Sequence, residues 1–249
     1  MPPKRKEPTN KIINFYEHAD IKKFLPVNVP NPNFSKTQMK LPARIAVIAA
    51  TGIGKSNCVM NYIKLCSEGK GSFCHIHVFH QIQEALYDLL ADKCKDNITF
   101  YTRLCDMPEP KDLQPKDGHN LVIFDDCMAL SVKDQQKIIN YFIIGRKVNG
   151  GIGLSSIYIS QSYFAIPQRI RAQLNYIFLL KNRSNIDLGN IITDTNIGID
   201  RNEFKAIYND AIKDEMHFLK ISIQEKEDDR LLSKDFDGYY EISGLDNDD

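Results

Sequence analysis

Hydrophobic and polar positions follow two alternating patterns along most of the chain. A short continuous apolar run, typical of a strand buried on both faces of a parallel sheet, occupies residues 45–50. Further strands are predicted at residues 75–80, 97–101, 121–126, 155–161, 175–181 and 217–223. Amphipathic segments with helical spacing lie between them, at residues 58–69, 84–94, 132–145 and 202–212. Strands separated by helices predict βαβ units. We therefore expect an α/β fold, with a mostly parallel sheet and helices on both faces.

The two ends of the chain carry opposite charge. Residues 1–23 contain six basic and three acidic residues, whereas residues 225–249 contain three basic and ten acidic residues. Such ends usually lie outside the core. We predict a basic, proline-containing extension at residues 1–33, a folded domain at 34–224 and an acidic tail from 225 onward. The PKRK run near the N-terminus fits a nuclear signal, a nucleic-acid-binding arm or a solubilising segment.

The overall composition excludes several classes of protein. The 249 residues carry 32 basic and 32 acidic side chains. The net charge is therefore zero, which excludes a generally basic surface for nucleic acid but leaves room for a local basic patch. No apolar run approaches the roughly 18 residues of a membrane helix, and the N-terminus lacks the apolar core of a signal peptide. With six cysteines and no CxxC pair, we expect an intracellular protein with reduced thiols and no membrane partner.

The strongest local signal follows the first apolar run, where AATGIGKS matches the pattern (A/G)xxxxGK(S/T). Its glycines let the backbone turn tightly and point N–H groups at phosphates, and the helix that follows adds its positive end. The lysine supplies charge to the β- and γ-phosphates, and the serine hydroxyl can bind Mg²⁺. We therefore expect an ATP-binding phosphate loop formed by Ala49, Ala50, Thr51, Gly52, Ile53, Gly54, Lys55, Ser56 and Asn57, with Ser56 as a metal ligand.

Three further polar residues end predicted strands. Asp125 and Asp126 end the run LVIFDD, and Gln161 follows the run IYIS. At the carboxyl edge of a parallel sheet, Asp125 would hold Mg²⁺, and Asp126 would orient or deprotonate the attacking water. Gln161 would sense the γ-phosphate; the alternative is a surface amide at the end of a strand.

Three arginines are candidates for stabilising charge on a transferred phosphoryl group. Arg146 ends the helix predicted after the acidic strand, and Arg169 and Arg171 follow in IPQRIRAQ. In ring-shaped hydrolases, an arginine of a neighbouring subunit often completes the site. The helix dipole alone also favours an arginine at the position of Arg146. Arg169 and Arg171 fit contacts with nucleic acid or with other subunits as well as they fit catalysis.

Taken in order, these segments resemble the DNA-packaging ATPases of large DNA viruses and virophages, the poxvirus-type members of the HerA–FtsK superfamily. The resemblance covers residues 31–224 and rests on the phosphate loop, LVIFDD, FIIGRKVNGGIG, IYISQS and IPQRIRAQLNYIFLLK. It implies a P-loop ATPase domain at 34–224, with a sheet of five or more strands. It also implies that the acidic strand does not lie directly beside the phosphate-loop strand.

The resemblance implies an ATP- and Mg²⁺-dependent motor that moves double-stranded DNA into a preformed capsid. By position, it gives phosphate and metal binding to Lys55, Ser56 and Asp125, catalysis to Asp126, sensing to Gln161 and the arginine finger to Arg146. The implied partners are double-stranded DNA, further copies of the chain in a homo-oligomeric ring, and a capsid or portal-vertex protein. The implied location is the host cytoplasm or virus factory, transiently the virion vertex, with the nucleus left open.

Other functions also fit a phosphate loop. A helicase or translocase in replication, or a plasmid-type DNA pump, shares the motor chemistry, although the compact chain favours packaging. A small-molecule phosphotransferase such as a nucleotide kinase is the second alternative. We find no arginine-rich lid, and a double acid suits activation of water better than transfer to an acceptor hydroxyl. A nucleotide-binding switch that hardly hydrolyses is the third.

Overall fold

The computed structural model describes residues 13–22, 24–25, 29–113, 118–182, 184–223 and 230–242. Within them, one sheet contains strands β1 (Arg44–Ile48), β2 (Phe73–Phe79), β3 (Ile98–Tyr101), β4 (His119–Phe124), β5 (Leu154–Ser160), β6 (Tyr176–Leu179), β7 (Leu219–Ser222), β8 (Leu232–Lys234) and β9 (Gly238–Tyr239). The helices are α1 (Ala19–Lys22), α2 (Phe34–Thr37), α3 (Lys55–Cys66), α4 (Ala85–Cys94), α5 (Val132–Ile143), α6 (Gln168–Arg171), α7 (Asn185–Thr195) and α8 (Arg201–Ala211).

The strand order is β3-β2-β4-β5-β1-β6-β7-β8-β9. The first six of these strands pair in parallel, and the last three are added antiparallel. All six parallel strands therefore end at one edge of the sheet, which we call the carboxyl edge. The α/β fold with a mostly parallel sheet is confirmed. Strand β5 separates β1 from β4, so the acidic strand is not beside the phosphate-loop strand, as the resemblance implies.

Helices cover both faces because the side chains of each central strand alternate between two cores. In β1, Ala46 and Ile48 belong to a core that also contains residues of α5 and α8. Ile45 and Val47 belong to a second core, which contains residues of α3 and α4. All five residues of β1 are buried, which explains its continuous apolar run.

Helix α7 was not expected from the sequence. It begins after Ser184, whose hydroxyl oxygen accepts a hydrogen bond from the backbone N–H of Asp187. Such a cap satisfies a free donor of the first turn, and Leu188 and Ile191 bury the inner face. Gly189 interrupts the helix and Ile186 is exposed, so the apolar periodicity that reveals the other helices is weak here.

The predicted acidic tail is wrong for residues 230–242, which form β8 and β9. Strand β8 pairs antiparallel with β7, and Leu231, Leu232 and Phe236 are 6%, 0% and 7% exposed. These apolar side chains bury against the sheet, although the surrounding acidic residues suggested a solvated segment. The fold therefore extends past the boundary predicted at residue 224.

The boundary predicted at residue 33 also cuts through packed structure. Asn31 and Asn33 are buried. The Asn31 amide donates to the carbonyl of Met39 at 2.8 Å, and the Asn33 amide donates to the carbonyl of Cys66, at the end of α3, at 3.0 Å. These hydrogen bonds fix the lead-in to the sheet.

The remaining parts of the two predicted end segments lie largely outside the described residues. This applies to the PKRK run and to residues 225–229 and 243–249. Among the described residues, no helix is long and apolar enough to cross a membrane.

Candidate functional site

The AATGIGKS motif forms a tight turn between β1, which ends at Ile48, and α3, which begins at Lys55. Gly52 and Gly54 have φ angles of 77° and 96°, in the left-handed region that glycine adopts without steric cost. A Cβ at Gly54 would lie 2.8 Å from Sδ of Met216, so a side chain there would also have to displace the end of that methionine. The turn places the N-terminus of the 12-residue α3 at the carboxyl edge, where its dipole attracts anions.

The ammonium group of Lys55 is held inside this turn. Its Nζ donates to the carbonyl oxygens of Ala49 and Ala50 at 3.2 and 3.4 Å. Burial lowers the pKa of Lys55, and the carboxylates of Asp125 and Glu84 oppose this shift. A half-buried positive charge therefore lies at the loop, where phosphate oxygens can replace the backbone carbonyls as stronger partners.

Asp125 directly follows β4 and lies close to Lys55. Its backbone N–H donates to the carbonyl of Phe79 at 2.9 Å, which continues the pairing with β2. Its carboxylate accepts a hydrogen bond from the hydroxyl of Tyr87 on α4. Burial raises the pKa of Asp125; the Tyr87 hydrogen bond opposes this, and the charge of Glu84 adds to it. Asp125 therefore lies where negative charge accumulates and a cation is attracted.

Asp126 and Gln161 lie beside the loop, at the ends of β4 and β5. Asp126 is exposed and has a left-handed φ of 52°, a conformation uncommon outside glycine. Gln161 follows β5, the neighbour of β1, and its Oε1 accepts a hydrogen bond from the hydroxyl of Thr51 at 3.0 Å. The structure thus brings both side chains to the loop, while their roles in catalysis and sensing stay predictions.

Glu84 is a residue of this site that the sequence reasoning missed. The Ser56 hydroxyl donates to Oε2 of Glu84 at 2.7 Å. Glu84 immediately precedes α4, which follows β2, and β2 lies next to β4 in the sheet. Its position at the start of the helix predicted at residues 84–94, shortly after the strand predicted at 75–80, is the only signal in the sequence. The strand order that brings it to Ser56 is a tertiary property.

These groups line one cleft of about 540 Å³ at the carboxyl edge. Its lining includes Thr51, Gly52, Gly54, Lys55, Ser56, Asn57, Glu84, Asp125, Asp126 and Gln161. The other predicted loop residues support the turn: Ala49 is buried, the N–H of Ala50 donates to the carbonyl of Lys181 at 3.3 Å, and Ile53 lines a neighbouring cleft. An ammonium group, a helix N-terminus and several carboxylates in one cleft suit a polyanion bound together with a cation.

No protein-family model matches the chain, and no curated protein matches its sequence. Among solved structures, it is similar to B204, the DNA-packaging ATPase of Sulfolobus turreted icosahedral virus, with a TM-score of 0.52 and 15% identity over 77% of this chain and 95% of that one. It is also similar to the genome packaging NTPase B204 of Sulfolobus turreted icosahedral virus 2. The complex with sulfate gives a TM-score of 0.52 and 13% identity over 79% of this chain and 97% of that one. The complex with AMPPCP gives a TM-score of 0.51 and 13% identity over 79% and 98%.

The chain has a P-loop NTPase fold. The geometry of the loop and the similarity to the B204 structures both support this fold, which the sequence motifs predicted. In this fold a Mg²⁺ ion accompanies the nucleotide, and the donors near the loop fit it. The Ser56 hydroxyl and the carboxylates of Asp125 and Glu84 are oxygen ligands, which Mg²⁺ prefers.

The described part of the chain contains no group of three or more His, Cys, Asp or Glu side chains arranged to hold a metal alone.

Arg146 lies at the edge of the sheet opposite the P-loop. It follows α5 in a 3₁₀ turn, Gly145–Lys147. A Cβ on Gly153, one residue before β5 begins, would lie 3.0 Å from the Arg146 carbonyl oxygen. The pKa of Arg44, at the start of β1, is lowered mainly by burial and further by the positive charge of Arg146. Arg146 therefore lies near the start of β1. Arg146 is exposed and does not line the cleft of its own chain.

Arg171 has partners within its own chain. It forms an ion pair with Asp194 of α7, and its Cζ lies 5.1 Å from the ring centroids of both Tyr163 and Phe164. Its side chain is only 12% exposed, so this guanidinium ties α6 to α7 and is poorly placed for a second subunit. Arg169 is exposed and donates to Oε1 of Gln136 at 3.3 Å.

Proposed function

We propose that this protein is an ATP-driven motor that hydrolyses ATP with Mg²⁺ and moves double-stranded viral DNA into a preformed capsid. The observation that carries the proposal is the convergence of the P-loop, Asp125, Asp126 and Gln161 on one cleft. The B204 proteins, which have the same fold, are described as a DNA-packaging ATPase and a genome packaging NTPase. Those descriptions favour packaging. The ring of identical subunits and the capsid or portal-vertex partner are part of our proposal and rest on the resemblance of the sequence motifs.

The phosphates of ATP bind at residues 49–56. The loop N–H groups and the N-terminus of α3 attract the anion, and Lys55 supplies charge to the β- and γ-phosphates. Ser56 and Asp125 would hold Mg²⁺, which neutralises charge on the phosphate oxygens. Glu84 orients the Ser56 hydroxyl, because the two already share a hydrogen bond.

Asp126 orients and deprotonates the water that attacks the γ-phosphorus. Its carboxylate takes the proton as the new O–P bond forms, and the bond between the γ-phosphorus and the bridging oxygen breaks to leave ADP and phosphate. Gln161 contacts Thr51 of the loop and senses whether the γ-phosphate is present. These steps need the side chains of Asp126, Gln161 and Thr51 to lie together at the carboxyl edge of the sheet, where the parallel strands end.

We expect the two neighbouring acids to separate by role. Asp126→Asn keeps the size of the side chain and removes the proton acceptor, so ATP binding should persist while hydrolysis falls about 10²–10⁴-fold. Asp125→Ala should weaken nucleotide binding more in the presence of Mg²⁺ than in its absence. Titration calorimetry with and without Mg²⁺, combined with single-turnover hydrolysis, checks both results.

Glu84→Gln is the matched control, because it makes the same carboxylate-to-amide change at the neighbouring acid of the cleft. We expect it to reduce the rate less than Asp126→Asn does. A parental rate in Asp126→Asn together with a severe loss in Glu84→Gln would move the water-activating role to Glu84.

Binding of DNA has to come from local basic groups because the whole chain has no net charge. The sequence offers Lys147, Arg169, Arg171 and Lys181 as candidates. Lys147, Arg169 and Lys181 are exposed, whereas the pairing of Arg171 with Asp194 takes Arg171 out of this set. Three exposed groups per subunit can contact the phosphate backbone without reading bases.

We expect duplex DNA to stimulate steady-state phosphate release and to bind without sequence preference. Each phosphate contact should steepen the fall of log affinity with log salt by about 0.9, so Arg169→Ala should reduce the slope by roughly one unit per subunit in contact. Fluorescence anisotropy at several salt concentrations measures this slope.

Four results would contradict the DNA motor. An affinity insensitive to salt, or one restricted to a single base sequence, would count against non-specific translocation. Phosphorylation of a nucleoside or nucleotide would favour the kinase alternative. Nucleotide binding without turnover would favour a switch.

A further inference from the structure

A second cleft of about 170 Å³ lies directly beside the phosphate cleft. It is lined by Gly52, Ile53, Lys181 and the loop at residues 212–217, which joins α8 to β7. Gly52 and Met216 line both clefts, so the two spaces meet at the P-loop. The volume is several times the roughly 30 Å³ share of one water molecule, which suits part of a small organic ligand rather than a few waters.

Met216 is an unusual residue for an exposed loop. Its side chain is 55% exposed, and its φ of 67° is in the left-handed region. A non-glycine residue costs free energy in that conformation, and such residues cluster at ligand sites. The Asn57 amide donates to Sδ of Met216 at 3.8 Å, and the same sulfur would lie 2.8 Å from a Cβ built on Gly54. The thioether therefore lies against the first turn of α3.

The loop that carries Met216 is fixed by the C-terminal strands. Nδ1 of His217 and Oδ2 of Asp235 are 2.6 Å apart, and Oδ1 of Asp235 accepts a hydrogen bond from the backbone N–H of Phe218 at 3.2 Å. Lys234 of β8 forms an ion pair with Asp214 at 3.3 Å. Residues 234 and 235, within the segment predicted to be an acidic tail, thus hold this loop against the P-loop.

The direction of a bound nucleotide follows from the contacts of the P-loop. Asp126 and Gln161, which belong with the γ-phosphate, lie at the ends of β4 and β5. Met216 contacts Asn57, one residue beyond the metal-binding serine. A triphosphate whose γ end lies near the acids therefore has its other end near Asn57 and Met216, at the mouth of the second cleft.

We propose that the second cleft binds the base of the nucleoside triphosphate and that Met216 packs against the face of its aromatic ring. A thioether is polarizable and flexible, and it makes favourable contacts with aromatic rings. Lys213 and Glu215 also line the cleft, with groups that can bond polar atoms at the edge of the base. This proposal rests on the nucleotide site proposed above and assigns its base-recognition residue.

The test separates the base from the phosphates. Titration calorimetry with Mg²⁺ compares ATP with inorganic tripolyphosphate, which has no base, for the parent, Met216→Ala and Met216→Leu. We expect Met216→Ala to weaken ATP about two- to tenfold, the range of a single sulfur–aromatic contact, and to leave tripolyphosphate unchanged. Met216→Leu should recover part of the loss because it restores apolar contact.

Two further variants sharpen the experiment. Met128→Ala removes an exposed methionine that lines the phosphate cleft but not the second cleft. The ratio of its affinities for ATP and for tripolyphosphate should therefore equal that of the parent. Asp235→Asn weakens the anchor of the loop without touching either cleft, so it should reproduce the loss for ATP alone.

Equal losses for ATP and tripolyphosphate in Met216→Ala would show that Met216 only supports the P-loop, and would overturn the inference while leaving the nucleotide site intact. Unchanged ATP affinity would overturn it in the same way, because the base would then lie elsewhere. A folded parent that binds neither ligand would overturn the proposed function and this inference together.

Discussion

Replacing Lys55 with alanine should reduce ATP hydrolysis by about 10²–10³-fold or more, the loss that follows removal of one donor from a preorganised anion site. Lys55 is held half-buried by the carbonyls of Ala49 and Ala50, so its charge is already in place before the phosphates arrive. Alanine has high helix propensity, and the position begins α3. We therefore expect the fold to survive while turnover collapses.

Lys64→Ala is the matched control for this variant, because Lys64 is an exposed lysine in the last turn of the same helix. Phosphate release should stay within about twofold of the parent, as for most surface substitutions. Thermal unfolding of both variants establishes that they are folded. Parental phosphate release in a folded Lys55→Ala protein would remove the nucleotide assignment from this loop.

The central sheet could be predicted because its strands are buried on both faces. In β1 and β4 every residue is buried, and residues 45–48 and 121–124 of these strands appear as continuous apolar runs. Helix α5 was equally clear, since Ile138, Ile139 and Phe142 mark one face. Helix α7 was not, because its stability depends on the Ser184 cap and on burial of a few side chains rather than on a long apolar stripe.

The parts of the site that come from one continuous motif could also be predicted. Gly52, Gly54 and Lys55 are adjacent in sequence, and Asp125 and Gln161 lie where apolar runs end, so the carboxyl edge of the sheet gathers them. Glu84 reaches Ser56 only because β2 pairs with β4. Local patterns do not specify which strands are neighbours, and the sequence therefore could not reveal this contact.

Met216 was missed for a related reason. It lies in a short polar loop, and its importance depends on the approach of that loop to Gly54 and Asn57. The approach in turn depends on strands β8 and β9, which lie within a segment, residues 225–249, that contains ten acidic residues. The net negative charge of residues 225–249 predicted a solvated tail. The buried side chains of Leu231, Leu232 and Phe236 instead fix part of this segment against the sheet.

The second large effect concerns Arg146, which we expect to complete the ATP site of a neighbouring subunit. Arg146 is exposed and lies near the start of β1 and β5, whereas the P-loop follows the end of β1. A strand of five residues separates these edges by roughly 16 Å, so Arg146 cannot serve the cleft of its own chain. In a ring, a surface on one side of a subunit faces the site on the next.

An arginine that neutralises charge on the transferred phosphoryl group contributes on the order of 10³–10⁵ in rate. Loss of an exposed ion pair costs under about 1 kcal/mol, which corresponds to less than about a tenfold change in rate. Arg146→Ala should therefore lose far more activity than Arg103→Ala, which removes an exposed arginine paired only with nearby surface groups such as Asp106. Steady-state phosphate release under conditions where the subunits assemble gives this comparison.

The decisive experiment mixes Arg146→Ala subunits with Lys55→Ala subunits. Neither variant alone can form a complete site if Arg146 acts across the interface, but in mixed rings an intact Lys55 can meet an intact Arg146 from its neighbour. Part of the parental activity should then return, with a maximum near equal proportions. Full activity of Arg146→Ala alone would move the arginine finger to Arg169, because Arg171 is paired with Asp194. Inactive Arg146→Ala with no recovery, although native mass spectrometry detects mixed rings, would show that Arg146 supports its own subunit instead.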